Sequence, residues 1–405
     1  MIAIPATWMR GGTSKCWVFR REDLDIPGLS VDEVLLRLYG SPDLRQIDGV
    51  GGGTSTTSKA VILSPSTRPD IDVDYTFAQV GIDEAVVDWG SNCGNCSAVV
   101  APYAVHAGWV EPTPGRTTVR VLNTNTGQVI LQDVPTPDGQ LLDTPTTAIP
   151  GVPGLGAEVR MGFVDPAGRS TGRLLPSGNP VDELPTPDGG RYRASLVDAG
   201  APVVIIDVTQ LGHPSTTNPH TVDLDAATLA TLDDIRRAGA VAMGLAATPQ
   251  SAARAVPKLA VVGATARDDA DLGIQMLSMG TPHPAVPITG SVALTLAAGT
   301  PGTVVAARLA SATPAATTQA TTAATAQATA QATAPATGRT GLRLDTPAGL
   351  VETFTETRTD ADGDHDVVGA TRTYRRLCTG DVFLPADPAP LPTLTTTTET
   401  ETRHG

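Results

Sequence analysis

Hydrophobic and β-branched residues gather in short runs separated by turn residues, over 60–63, 119–122, 129–131, 203–207, 259–262 and 303–306. Runs of this length and spacing predict the strands of a β-rich fold with few helices. Ser30 stands three residues ahead of Glu33, before Leu35 and Leu36, a capping-box pattern that predicts a surface helix. A second helix is predicted from about 225 to 237, where acids come early and arginines late, matching the helix dipole.

Segments 95–107 and 290–298 differ, because they are apolar all round and are followed by Gly108 and Gly299. Each predicts a buried helix ending at a glycine cap. Pro102 lacks an amide donor and is expected to kink the first helix. One buried helix in each half suggests two similar domains. Their boundary is placed at the Pro-Thr-Pro-Asp-Gly-Gly stretch, 185–190, so that the domains run over 1–185 and 186–391. Residues 309–338 are almost entirely Ala, Thr, Gln and Pro, and lack the apolar side chains that offset ordering entropy. They read as a flexible loop inserted between strands or, given the alanine content, as a short helix. The tail, 392–405, is expected to be disordered.

Composition narrows the function. A chain of 405 residues with 40% apolar content is large enough for two cores. Its net charge of -14 argues against nucleic acid or an acidic membrane surface as a partner. The N-terminus has no signal-peptide pattern, and no segment approaches the roughly 18 apolar residues that span a bilayer. Four cysteines are too few for a disulfide framework, so a soluble chain in a reducing cytoplasm is expected. Of 28 basic side chains only Lys15, Lys59 and Lys258 are lysines, and a site that needs a compact ammonium or a titrating amine cannot use arginine instead.

Lys15 closes Gly11-Gly12-Thr13-Ser14-Lys15, and Lys59 closes a longer Gly-Thr-Ser run from Gly51. Both read as anion-binding loops in which amides, hydroxyls and the lysine grip carboxylates, or more blandly as flexible polar loops. Neither fits the Walker phosphate loop. Cys93, in Asn92-Cys93-Gly94-Asn95-Cys96, lies just before a predicted helix, whose dipole would lower the thiol pKa and suit a base or nucleophile. A thioredoxin-like reading of Cys93 and Cys96 lacks its βαβ context, and zinc lacks further ligands; no metal is expected. Cys96 reads as packed core, and Cys16 and Cys378 as structural. The six histidines are scattered, and only His283, just ahead of the second buried helix, is a candidate for touching substrate. Thr289-Gly290-Ser291 opens that helix, as Asn92-Cys93-Gly94 opens the first, and would offer amides and hydroxyls to a carboxylate. It carries no thiol.

Several motifs together resemble the PrpF family: Met9-Arg10-Gly11-Gly12-Thr13-Ser14-Lys15, Gln46-Ile47-Asp48-Gly49, Thr57-Ser58-Lys59, Asp72-Val73-Asp74-Tyr75, Asn92-Cys93-Gly94-Asn95, Leu174-Leu175-Pro176-Ser177-Gly178-Asn179, Val256-Pro257-Lys258 and Arg372-Thr373-Tyr374-Arg375-Arg376. The resemblance implies an α+β, diaminopimelate-epimerase-like fold: two pseudo-symmetric domains, each a β-barrel-like sheet around a central helix, with the active site between them. It also implies an isomerase without a cofactor that shifts a proton on an unsaturated di- or tricarboxylate, as in 2-methylaconitate cis-trans isomerisation. By motif, the family's catalytic lysine and cysteine fall on Lys59 and Cys93.

One of these two is the base and the other the acid, and both assignments stay open. Arg10, Gly11, Gly12, Thr13, Ser14 and Lys15 are expected to hold one carboxylate; Asn92, Gly94, Asn95, His283, Thr289, Gly290 and Ser291 are expected to bind the rest of the substrate. Lys258 reads as structural or as lining the cleft. Related epimerases carry a second cysteine where this chain has Gly290 or Ser291, which argues against a symmetric two-thiol mechanism. Alternatives are a 4-oxalomesaconate-type keto-enol tautomerase, or a binding protein that kept the fold and lost the chemistry. Besides the carboxylate, a homodimer partner is the other option.

Overall fold

The computed structural model describes residues 1–90, 92–212, 217–278, 280–312, 341–360 and 363–385. The low-complexity stretch beyond residue 312 and the whole tail, 392–405, lie outside the described residues.

The first half contains β1 (Ile2–Gly11), β2 (Ser14–Arg20), β3 (Lys59–Pro65), β4 (Val73–Val80), β5 (Val87–Asp88), β6 (Gly115–Asn123), β7 (Gln128–Thr136), β8 (Thr147–Ala148) and β9 (Leu155–Val164). Its helices are α1 (Val31–Tyr39), α2 (Gly94–Ser97) and α3 (Val100–His106). The second half contains β10 (Asp182–Pro185), β11 (Arg191–Ala199), β12 (Ala201–Asp207), β13 (Lys258–Gly263), β14 (Leu272–Ser278), β15 (Thr281–Pro282), β16 (Arg343–Thr346), β17 (Gly349–Asp360) and β18 (Gly363–Leu384). Its helices are α4 (Ala226–Ala242), α5 (Ile288–Gly299) and α6 (Val304–Ala312).

Strand pairing shows an internal repeat. From β1 through β2, β3, β4, β6 and β7 to β9, neighbours pair antiparallel, parallel, antiparallel, parallel, antiparallel and antiparallel. From β11 through β12, β13, β14, β16 and β17 to β18, the same order of pairings recurs. Helix α1 sits between β2 and β3 as α4 sits between β12 and β13, and α2–α3 precede β6 as α5–α6 precede β16. Strand β18 then pairs with both β9 and β1, which closes the first sheet into a barrel.

Each half is packed on both sides of its sheet. In β3, Val61 and Leu63 join the core around α3, whereas Ala60 and Ile62 join the core around α1. Strand β13 repeats this, with Ala260 and Val262 facing the core around α5, and Leu259 and Val261 facing α4. A strand covered on both faces must be apolar throughout, which is why these segments do not alternate with polar residues. The cores around α3 and α5 form one continuous cluster.

Five of the six apolar runs lie in strands. The sixth, 303–306, opens helix α6 instead: the hydroxyl of fully buried Thr303 accepts the Ala306 amide at 3.2 Å, an N-terminal cap that outweighs the β-propensity of Thr-Val-Val. The 95–107 helix is broken into α2 and α3 at Ala98 and Val99, so Pro102 falls in the first turn of α3, where its missing amide forfeits no bond. Gly108, at φ 72°, caps α3 in the left-handed region. Gly299 is instead the last helical residue of α5, followed by an extended Thr300. Residues 185–190, expected to separate the halves, form the turn joining β10 to β11 inside the second sheet.

The capping box at α1 is present: the Ser30 hydroxyl accepts the Glu33 amide at 3.3 Å and the Glu33 carboxylate accepts the Ser30 amide at 2.8 Å. Helix α1 covers the outer face of β3, so Ser30→Ala is expected to lower stability by about 1 kcal/mol, read as a shift in the urea midpoint.

Candidate active site

The repeat sets Lys59 and Lys258 in equivalent places. Each is the first residue of the strand that pairs parallel to the preceding hairpin, β3 on β2 and β13 on β12. Alternation along β3 puts Lys59 on the face of Val61 and Leu63, and along β13 it puts Lys258 on the face of Ala260 and Val262. Both lysines therefore lie on the inner side of their sheets.

The N-termini of the central helices meet at the same point. Cys93 is the N-cap of α2 and Pro287 that of α5. A Cβ on Gly94 would come within 1.9 Å of Ile288 Cγ2, so only glycine lets the two helix starts touch. The Gly11-Gly12 turn packs on this junction: a Cβ on Gly11 would fall 2.3 Å from the Asn95 carbonyl oxygen, and Gly12 has φ 51°. Asn95 Nδ2 donates to Thr13 Oγ1 at 3.0 Å, tying the turn to α2.

Lys59 is 8% exposed; its Nζ donates to Gln79 Oε1 at 2.5 Å and stands 5.0 Å from the Phe77 ring centroid. Gln79 is held in turn by donating to the Ser58 carbonyl at 2.8 Å. Gln46 Nε2 donates to Ser58 Oγ at 2.7 Å while its Oε1 accepts the Gly53 amide at 2.8 Å, so Gln46 shapes the loop ahead of Lys59.

Lys59 and Lys258 both act electrostatically on Cys93 or are acted on by it. Desolvation holds Lys258 down to about 8, opposed by Cys93 and aided to a smaller extent by Lys59. Some of the Lys258 side chain keeps contact with solvent while its amine is desolvated. His283 is lowered by burial and by the positive charges of Arg372, Lys258 and Lys59. The Ala285 amide donates to His283 Nδ1 at 3.1 Å, so the neutral ring carries its hydrogen on Nε2. Arg372, 5% exposed, is lowered to about 10 by burial. Among the described residues none of Lys59, Lys258 and Arg372 has a carboxylate partner.

The thiol departs from expectation. Cys93 is raised well above its ordinary value, first by its bond with the Cys96 side chain and then by burial, which together outweigh Lys59 and the Cys96 amide that donates to Sγ at 3.4 Å. Helix α2 has only four residues, too few for the dipole that the sequence reading invoked. Cys93 is therefore a protonated thiol at neutral pH. Cys96 is fully buried core.

Not every expected residue joins this cluster. Lys15 is exposed, on the opposite face of β2 from buried Ser14 and Cys16, with its ammonium 5.5 Å from the Trp8 ring centroid. The Arg10 guanidinium is taken up by the Gly12 carbonyl at 2.9 Å and by Thr373, which makes it a clamp on the glycine turn. Asn92 Oδ1 accepts from the Ser97 hydroxyl at 3.2 Å. Ser291 is fully buried, with its hydroxyl donating to the Ile288 carbonyl, and Gly290 packs on Met276. Thr289 remains at the helix start. The sequence reading quoted Gln46 and Arg372 within motifs but gave neither a role, did not name Gln79, and read Lys258 as structural or as lining the cleft.

Comparison with known proteins accords with this geometry. The family model described as PrpF protein matches residues 1–315. The chain belongs to the PrpF family. It is 41% identical over 330 residues to a 2-methyl-aconitate isomerase of Cupriavidus necator, covering 75% of this chain and 83% of that protein. It is 40% identical to a 4-oxalomesaconate tautomerase of Pseudomonas putida, covering 74% and 81%. The crystal structure of a methylitaconate-delta-isomerase superposes with a TM-score of 0.76 at 34% identity, covering 96% of this chain and 99% of that one. A probable proline racemase, 15% identical over 94% of this chain and 93% of its own, shares the fold with a TM-score of 0.50. This PrpF chain is thus an isomerase with the diaminopimelate-epimerase-like α+β fold.

Among the described residues no group of three or more His, Cys, Asp or Glu gathers as a metal site, and no single helix is long and apolar enough to cross a membrane. A surface depression of about 420 Å³ beside α4, lined in part by Pro185, Arg237 and Gln250, shares no residue with the cluster.

Gly94→Ala forces the two helix starts apart. It is expected to cost about 1–3 kcal/mol of stability, with a loss of turnover near 10²-fold, since displacements of about 1 Å have that effect. Denaturation and steady-state assays on the same preparation check this.

Proposed function

We propose that the protein isomerises an unsaturated tricarboxylate of the 2-methylaconitate type by moving one carbon-bound proton, with Lys59 as base and Cys93 as acid. The observation that carries this reading is the convergence, at the junction of two helix N-termini, of a protonated thiol with buried cations that have no carboxylate partner. Because Cys93 keeps its proton at neutral pH, it is suited to donate, which leaves the abstraction to Lys59.

The chemistry requires charge stabilisation more than anything else. Loss of a proton from the carbon between a carboxylate and the alkene gives a dienolate spread over both. In it the former double bond is single and free to rotate, and return of the proton traps the other geometric isomer. Cations already in place around the carboxylates lower the energy of that dienolate without reorganising as it forms. Gln79 holds the Lys59 amine, and the Nε2–H of His283 is a neutral donor.

Close relatives include both a methylaconitate isomerase and an oxalomesaconate tautomerase. Ultraviolet assays with cis- and trans-methylaconitate and with oxalomesaconate are expected to give turnover chiefly on the first pair. Cys93→Ala is expected to slow isomerisation by about 10²–10⁴-fold. In deuterium oxide, Lys59→Ala is expected to abolish label uptake as well as isomerisation. Turnover of Cys93→Ala near the wild-type rate, or label uptake by Lys59→Ala, refutes the assignment.

A further inference from the structure

The proposed base is held by a neutral group rather than by a carboxylate. Lys59 on β3 pairs with Gln79 on β4, and Gln79 pairs in turn with Asp88 on β5, so the three side chains share the inner face in one row. Gln79 therefore stands between the Lys59 amine and the Asp88 carboxylate, which accepts the Gly90 amide at 2.7 Å instead. The bond from Lys59 Nζ to Gln79 Oε1, 2.5 Å, is the only hydrogen bond the amine makes among the described residues. The Gln79 amide cannot turn round. Its Nε2 donates to the Ser58 carbonyl at 2.8 Å, so the oxygen is the end that faces the lysine.

Gln79 is itself fixed by a buried polar set. The Ser58 hydroxyl donates to the Val80 carbonyl at 2.9 Å and accepts Gln46 Nε2 at 2.7 Å. Gln46 is 1% exposed; its Nε2 also donates to Ser41 Oγ at 3.0 Å, and its Oε1 accepts the Gly53 amide at 2.8 Å. Its φ of 48° is a left-handed backbone, which persists in a non-glycine residue only where the surroundings over-determine it. On the other side the Tyr39 hydroxyl donates to the Lys59 carbonyl at 2.5 Å. Gln46, Ser58, Gln79 and Tyr39 thus enclose Lys59 in groups that carry no charge.

A base that moves a proton is a neutral amine before the transfer and an ammonium after it. A carboxylate partner would hold the ammonium more strongly than the amine and oppose its return. A carbonyl accepts one N–H in both states. In the transfer the C–H bond breaks, its electron pair stays on the dienolate, and the lone pair of Nζ forms the new N–H bond. The N–H engaged by the carbonyl takes no part.

We propose that Gln79 is a positioning residue for this transfer: its carbonyl holds one N–H of Lys59 in both states and so turns the lone pair to the substrate, while Gln46 fixes Gln79 through Ser58. The role rests on the reading of Lys59 as the base.

The test separates chemistry from binding. In Gln79→Leu, kcat is expected to fall about 10²-fold, the effect of displacing a reacting group by about 1 Å. KM is expected to change little, as is the calorimetric affinity for tricarballylate, a saturated tricarboxylate that cannot isomerise. Gln79→Glu keeps the shape and adds a charge. It is expected to be slow at neutral pH and to recover as the pH rises and the amine is released from the carboxylate, a recovery that Gln79→Leu lacks. Cys93, Cys96, Lys258 and His283, which are coupled electrostatically to Lys59, and Asp88 in the same row are common to all the variants. Gln46→Met is expected to slow turnover in the same direction. Combined with Gln79→Leu it is expected to add nothing further, because the two side chains act in one chain of bonds. Thermal melts establish that each variant is folded.

Wild-type kcat in folded Gln79→Leu overturns the positioning role, as does a loss confined to KM or a Gln79→Glu profile without recovery at high pH. Label uptake from deuterium oxide tells this failure from that of the base. Uptake by Lys59→Ala sinks the functional reading and Gln79 with it. Uptake lost in Lys59→Ala but kept at the wild-type rate in Gln79→Leu sinks the positioning role alone.

Discussion

Positive charge held in a buried cleft without a carboxylate to balance it is the constraint on which the rest of this structure depends. Arg372 and the amine of Lys258 are removed from water, and each would be cheaper beside an Asp or Glu. The chain has 42 acidic residues, and elsewhere they pair freely, as Asp133 does with Arg160 and Arg358. Among the described residues none of them pairs with the cleft cations, which leaves that charge free for an anion.

The internal repeat supplies the frame, and small departures from it supply the chemistry. Both halves present a lysine at a strand start and a central helix aimed at the junction. Only the first half has a thiol at its helix cap; the equivalent N-cap in the second half is Pro287, which has neither an acid nor an amide hydrogen. A two-fold arrangement of acid and base would suit the inversion of a tetrahedral carbon, where protons enter and leave on opposite faces. An allylic shift in a planar dienolate has no such requirement, so one half can specialise in proton transfer and the other in holding charge.

Legibility followed the range of the interactions. Local devices were readable: the Ser30 capping box, the Gly108 cap and five apolar runs all depend on residues close in sequence. The run at 303–306 was misread because its decisive contact is a side-chain cap, which β-branched composition hides. Lysine scarcity drew attention to three residues but could not rank them. Parity along β2 could have: Cys16 and Val18 pack inside, so Lys15 between Ser14 and Cys16 must point outward. Arg372 and the equivalence of Lys258 with Lys59 required strand registers, which no periodicity discloses, and the barrel came from resemblance alone. The thiol was misjudged because burial and the neighbouring Cys96 side chain outweigh a four-residue helix.

The overall field and the local one then have opposite signs, and function depends on both. A molecule with a net charge of -14 repels a tricarboxylate at long range, yet salt screens that repulsion within about 8–10 Å. The cleft cations act at shorter range and in a poorer dielectric, where screening is weak and their attraction is largest. For an anionic substrate, encounter is thus slowed while capture is strengthened. In the proposed mechanism the cations that attract the carboxylates also stabilise the dienolate, so recognition and catalysis draw on one arrangement of charge rather than two.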